Sequence, residues 1–329
     1  MMELLYAYQE WPYRETFRIS RSSRANSSLF LAIVRDGDFI GRGECSYLEQ
    51  YGHTREDVLA GLEAARDILS DSPSREDIAN LIPNSSVRNA IDCAMWDLEC
   101  RKAGQTVWER SGVARQESIE VDLTISVNPI PKMCADARDA AERGYRILKL
   151  KADKDQVVER VSAIAEAVPG AKFIVDANEA WDLHSLERSA DALHSLGVVL
   201  IEQPLHHKRD EALAGYRGPI PVCADESCRG IEDLDTLAER YQAINIKLDK
   251  AGGLTPGLEL ARAAKARGMG LMIGCSGPTS LGVAPAYVIA TMADFVDLDG
   301  PALMIDDRAG AMRYADGRLF CFGSELWGG

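Results

Sequence analysis

No C-x-x-C pair occurs among the eight cysteines, and no apolar run is long enough to cross a bilayer. Cys45, Cys93, Cys100, Cys134, Cys223, Cys228, Cys275 and Cys321 sit mostly inside apolar stretches such as "PVCAD" and "MIGCS". That usage excludes a disulfide framework and a cysteine zinc site, and it fits reduced, buried thiols in a cytoplasmic protein. The start, "MMELLYAYQEW", lacks a basic segment followed by a long apolar one, so no signal peptide is expected. Positive charge is in deficit, with a net charge of -14, which argues against nucleic acid or an anionic membrane as partner. No G-x-G-x-x-G follows an early strand, and nothing resembles a P-loop, a Ser-His-Asp triad or an aromatic stacking platform. His184, His194, His206 and His207 fall away from strand ends and read as surface residues; His53 reads as part of a lid.

What is present is order of two kinds. Up to about residue 115, strands precede helices. "TFRIS" and "SLFLAIVRDGDFIGRGEC" read as a meander turning at Asp36-Gly37. "TREDVLAGLEAARDIL" and "SSVRNAIDCAMWDLECRKAG" have helical apolar spacing, the second stopping at Gly104. This is an α+β pattern. Thereafter short β-branched runs alternate with amphipathic stretches: "IEVDLTISV", "YRILKLK", "KFIVDAN", "VVLIEQP", "IPVCADES", "AINIKLDK", "GLMIGCS" and "FVDLDGP". Eight such units predict an α/β fold, a modified TIM barrel of (β/α)7β type over residues 116–315. An N-terminal α+β capping domain would span residues 1–115, completed by residues 316–329. Cap and barrel leave surfaces that could support a homo-oligomer.

In a βα barrel the C-terminal rim of the strands carries the active site, and here that rim is ionic. It offers Lys149 and Lys151, then Asp176, Glu202 and Asp225, then Lys247, then Asp297 and Asp299. Three carboxylates from consecutive strands repel one another and call for a cation. With no His or Cys beside them, Mg²⁺ or Mn²⁺ suits them better than zinc. Lys149 and Lys151 share one strand face, so each ammonium works against the charge of the other, as a nearby divalent ion would. Lys151 thereby becomes a candidate base, and Lys247, from the far side of the mouth, a second one. One amine on each face of a carbon next to a carboxylate is the layout for removing a proton from one side and returning it to the other. Asp297 and Asp299, at i and i+2, would bind an ammonium group.

Together "KLK", "VDAN", "IEQP", "CADES", "NIKLDKAGGL" and "RNAIDCAMWDL" resemble the muconate-lactonizing branch of the enolase superfamily. The resemblance implies that Asp176, Glu202 and Asp225 are the metal ligands. It makes Lys151 and Lys247 the acid/bases, with Lys149 auxiliary, and Asn178 and Glu226 supporting groups. The D-x-D resembles the dipeptide epimerases, where it grips a free α-amino group. The likeness to the L-Ala-D/L-Glu epimerases is especially close, and it implies a role in murein peptide metabolism. The implied activity is Mg²⁺-dependent epimerisation of a small-molecule dipeptide at its C-terminal residue. Alternatives within the branch are o-succinylbenzoate synthesis, N-acylamino acid racemisation and cycloisomerisation. A catalytically silent peptide- or metal-binding protein is the alternative of another class. The polar "SRSSRANSS" reads as a loop between two strands that could fold over the site, with Arg21 or Arg24 facing a side-chain carboxylate. "YLEQYGHT" reads as a second lid loop. Thr124 and Ser126 would bound the substrate, while "GCSGPTS" departs from the bulkier residues typical of Ala-Glu epimerases.

Overall fold

The structure, a computed structural model, describes residues 1–19, 22–152 and 156–329. The cap is an antiparallel sheet of three strands, β1 (Glu3–Ile19), β2 (Ser22–Asp36) and β3 (Phe39–Cys45), in that order. The helices Arg55–Ser70 and Ser85–Ala103 pack on it through Leu4, Phe30, Val34, Leu62, Ile91 and Ala94. Thr54 opens the first helix with a capping box to Asp57, and left-handed Gly104 closes the second, where the sequence placed its stop. Gly41 and Gly43 bring β3 so close to the second helix that a Cβ on either would fall 2.0 Å from a helix carbonyl oxygen.

Two expectations for the cap are corrected. The first strand begins at Glu3, well before "TFRIS"; Pro12 hides it in the sequence, yet β1 is an edge strand with a register shift after Pro12, where proline is tolerated. The "SRSSRANSS" stretch is β-strand from Ser22 onward, with Ile19 opposite Ser22 and Phe17 opposite Arg24, so polar serines here continue a hairpin. Arg21 lies outside the described residues.

Eight parallel strands form the second sheet: β5 (Leu123–Ile125), β6 (Ile147–Lys151), β7 (Lys172–Asp176), β8 (Val198–Glu202), β9 (Val222–Ala224), β10 (Ala243–Ile246), β11 (Gly270–Gly274) and β12 (Phe295–Asp297), paired in sequence order. The Asp122 N–H bonds Val296 O at 3.0 Å, linking the first strand to the last. The "IEVDLTISV" run is not one strand. Its first part, β4 (Ser118–Glu120), pairs antiparallel with β14 (Arg318–Phe320), which is joined by a hairpin to β13 (Tyr314–Ala315). Between β8 and β9 a short 3₁₀ turn, Glu211–Gly215, stands where the other units carry helices. Proline and glycine in "YRGPIP" break the helical pattern there.

The barrel interior is layered by the two-residue period of the strands. Ile174, Leu200, Cys223, Ala243 and Met272 form an apolar floor, with Ile147 and Phe295 against it. Two residues further along, the same strands point Lys149, Asp176, Glu202, Asp225, Asn245 and Asp297 into the mouth. A small apolar floor thus carries an ionic storey.

Cap and barrel meet through buried acids. Asp92 accepts the Thr255 N–H at 3.0 Å and its hydroxyl at 2.5 Å. Asp249 accepts the Ser46 N–H at 3.2 Å and the Asn89 amide at 2.9 Å. Glu44 takes the Thr279 N–H and hydroxyl, each at 2.7 Å, and pairs with Arg308. The chain end returns to the cap: Arg42 bonds Glu325 O at 2.7 Å, and the Trp327 indole donates to Cys93 O at 3.0 Å. No helix among the described residues is long and apolar enough to cross a membrane.

Candidate active site

Above the floor lies a cavity of about 280 Å³. Lys151, Lys247, Asp225, Asp297, Asp299 and Thr124 line it, with Arg24, Tyr47 and Glu49 from the cap. Strand order places β6, which carries Lys149 and Lys151, four steps from β10, which leads into Lys247. In a ring of eight strands that puts Lys151 and Lys247 across the mouth from each other.

The three strand-end acids share one arrangement: one oxygen is fixed by the scaffold and the other meets ammonium. Asp176 Oδ1 accepts the Asn178 N–H at 2.9 Å, and its Oδ2 meets Lys151 at 2.5 Å and Lys149 at 3.3 Å. Glu202 Oε1 accepts the Asn245 amide at 2.8 Å, and its Oε2 meets Lys149 at 2.7 Å. Asp225 Oδ1 is held by Lys250 at 2.6 Å, and its Oδ2 meets Lys247 at 2.6 Å.

Electrostatics follow from this pairing. Burial alone would raise Asp225 and Asp176, yet Lys247 and Lys250 on the one, and Lys151 and Lys149 on the other, hold both below the usual carboxylate range. Glu202 is pushed up to about 7 by burial and by Asp176. Burial disfavours the charge on Lys149 and Lys247, but Asp297 and Glu202 around the first, and Asp225 beside the second, outweigh it and keep both ammonium groups charged. Three buried carboxylates, each presenting one oxygen to a positive charge and one of them raised by its neighbours, fit a hard divalent cation, which would contend with the lysines for those oxygens. The acidic trio whose oxygens already close to within 4.8 Å of one another is a different one: Asp122, Asp297 and Asp299.

Asp297 and Asp299 both face the cavity. Asp297 Oδ2 pairs with Lys149 at 2.6 Å, and Asp299 Oδ2 accepts the Thr124 N–H at 2.7 Å. Asp299 is pushed up to about 6 by burial and by the charge of Asp297. Arg24 reaches the cavity wall but pairs with Glu49 in the 3₁₀ turn Glu49–Tyr51, so two cap segments meet over the mouth. Tyr51 fastens that turn to the barrel by donating to Glu226 O at 2.9 Å. Ser126 is turned toward the cap, its hydroxyl accepting the Arg18 N–H at 3.3 Å.

Sequence reasoning missed four groups. Lys250 is buried on Asp225; its i+3 relation to Lys247 gives it a place on the turn after the strand. Gln203 accepts the Asp225 N–H at 2.8 Å, orienting that strand end. Asp122 was hidden inside an apparent continuous strand. His207 is half-buried, not a surface residue, and its Nδ1 lies 2.5 Å from Glu179 Oε1.

Residues 132–318 match the model of the enolase C-terminal domain-like family. The L-Ala-D/L-Glu epimerase of Escherichia coli (strain K12) is 36% identical over 319 residues, 97% of this chain and 99% of the relative. The N-acetyl-D-glutamate racemase of a Pseudoalteromonas species is 40% identical over 303 residues, 92% of this chain and 95% of the relative. Among solved structures, an enolase family member from Agrobacterium tumefaciens with homology to dipeptide epimerases, with bound sodium and L-Ala-L-Glu, superposes with a TM-score of 0.96 at 36% identity, covering 100% of both chains. Fold, strand-end charges and relatives agree: the chain belongs to the enolase C-terminal domain-like family.

Proposed function

We propose that the protein is an isomerase, a divalent-metal-dependent dipeptide epimerase that inverts the α-carbon of the C-terminal residue. L-Ala-D/L-Glu or a related dipeptide is the substrate. The observation that carries this reading is the pair of lysines, buried Lys151 and part-buried Lys247, four strand steps apart and lining one cavity with Asp297 and Asp299. Lys151 takes the α-proton on one face while Lys247 delivers one to the other, and the roles exchange when the substrate has the opposite configuration. Asp176, Glu202 and Asp225 would hold Mg²⁺, or Mn²⁺, whose contribution is to offset the second negative charge that develops as the α-proton leaves a carbon next to a carboxylate. Lys149 ties Glu202, Asp176 and Asp297 together, and Lys250 fixes Asp225. Asp297 and Asp299 hold the substrate ammonium. Arg24, released from Glu49, faces an acidic side chain.

The relative that acts on an N-acetylated glutamate supports a second reading, racemisation of an N-acyl acidic amino acid. The paired acids speak for a free amine instead, since an acetyl group brings no positive charge to them. A capping unit of residues 1–115, completed by residues 316–329, over a barrel of residues 116–315 accords with the contacts of Arg42 and Trp327 at the chain end. Eight free cysteines accord with a reducing, cytoplasmic setting, and an Ala-Glu substrate would place the reaction in murein peptide metabolism.

The test is a library of dipeptides, with N-acetylglutamate included, incubated in D₂O with Mg²⁺ and read by mass spectrometry. Deuterium uptake confined to dipeptides with acidic C-terminal residues is expected. Uptake into N-acetylglutamate alone would favour the second reading, and no uptake anywhere would leave the binding-protein alternative.

A further inference from the structure

Asp122 is the residue the proposed mechanism leaves without a task. It precedes Leu123, which pairs with Leu148, so it stands level with Ile147 in the apolar floor of the barrel. Its side chain is 1% exposed, and neither carboxylate oxygen has a hydrogen-bond partner among the described residues. One of its oxygens lies within 4.8 Å of an oxygen of Asp297 and of an oxygen of Asp299. The donors nearby are already engaged: Lys149 bonds Asp297 Oδ2 at 2.6 Å and the Thr124 N–H bonds Asp299 Oδ2 at 2.7 Å.

A carboxylate cannot stay ionised there without a cation or a donor. The divalent ion of the proposed function is already accounted for by Asp176, Glu202 and Asp225, and here Asp297 Oδ2 is taken by Lys149 and Asp299 Oδ2 by the Thr124 N–H. A proton fits, as it does wherever like charges are forced together. We propose that Asp122 is a positioning residue, a neutral carboxylic acid whose O–H is donated to the Asp297–Asp299 pair and holds that pair in place for an ammonium group. Burial, with the charges of Asp297 and Asp299, pushes the Asp122 carboxyl well above its ordinary range, opposed by Lys149 and reinforced by Glu202. The protonation of Asp122 is independent of what the enzyme acts on; its effect on substrate rests on the dipeptide reading.

The experiment has two arms. In the first, ¹³C-aspartate-labelled protein is compared with Asp122→Asn by infrared spectroscopy at about pH 8, where ordinary aspartates and groups titrating near 6 are ionised. A protonated-carboxyl C=O band present in the wild type and absent from the variant is expected; no such difference overturns the proposal, whether or not any dipeptide is turned over. The second arm compares steady-state kinetics. Asp122→Asn retains an uncharged donor of the same shape and should leave KM for L-Ala-L-Glu within about threefold. Asp122→Leu, which removes the donor, should raise KM roughly tenfold with kcat little changed. An Asn variant as impaired as the Leu variant, or a Leu variant with unchanged KM, contradicts the positioning role.

Discussion

Two regions of this molecule bury carboxylates, and they treat them in opposite ways. At the barrel mouth, Asp176, Glu202 and Asp225 face lysine ammonium groups. At the seam between cap and barrel, Asp92 and Asp249 face hydroxyl, amide and backbone N–H groups of Thr255, Ser46 and Asn89. Ammonium partners hold Asp176 and Asp225 ionised below the usual range, whereas burial pushes Asp92 and Asp249 up to about 6 despite their hydrogen bonds. The same residue type is therefore held ionised by ammonium groups in one place and serves as a hydrogen-bonded fastener in the other.

Removing an amine at the mouth should give the largest effect. Lys151→Ala and Lys247→Ala should each lower the epimerisation rate by about 10²–10⁴-fold, measured by polarimetry, with little change in folding midpoint. Next comes the lysine behind Asp225. Lys250→Met leaves Asp225 with Lys247 alone and should weaken Mg²⁺ activation about 10- to 100-fold, read from a metal titration of activity. An unaltered titration would mean that Lys250 serves only folding.

At the seam the readout is stability. The folded-state pKa of Asp92, about 6, lies above its unfolded value, so the folded state binds the extra proton and stability falls as pH rises from about 4 to about 6. Asp92→Asn should flatten that slope by about 1–3 kcal/mol in urea unfolding across this window, leaving the metal titration unmoved. A slope identical to wild type would erase the distinction drawn between the two regions. Smallest in consequence for catalysis is Gly43→Ala, which presses a methyl group onto Ala90 O. It should lower stability by about 1–3 kcal/mol with kcat/KM unchanged.

The mouth was legible in the sequence and the seam was not. Lysines two apart on a strand share a face, and an acid directly ending an apolar run in successive units announces a rim, so Lys149, Lys151, Asp176, Glu202 and Asp225 could be placed together from spacing. The seam acids carry no such signal. Asp92 lies inside "AIDCAMWDL", where helical periodicity predicts core, and its partner Thr255 is distant in sequence. Asp122 was obscured because "VDLT" continues a plausible strand, whereas the chain passes there from one sheet to another. Lys250 escaped because its partner Asp225 is 25 positions away on a neighbouring unit. Polar serines concealed the β-hairpin of the cap, since backbone pairing between β1 and β2, not side-chain hydrophobicity, holds it. Local spacing reveals what a single strand presents; contacts between units must be seen in the fold.

The central claim is that Lys151 and Lys247 serve opposite faces of one carbon. Proton NMR of each epimer of Ala-Glu incubated in D₂O with Lys151→Ala and with Lys247→Ala tests it directly. Each variant should retain α-proton exchange with one epimer only, and the two variants should choose opposite epimers. Exchange lost equally from both epimers in either variant, or the same epimer spared in both, would contradict the account.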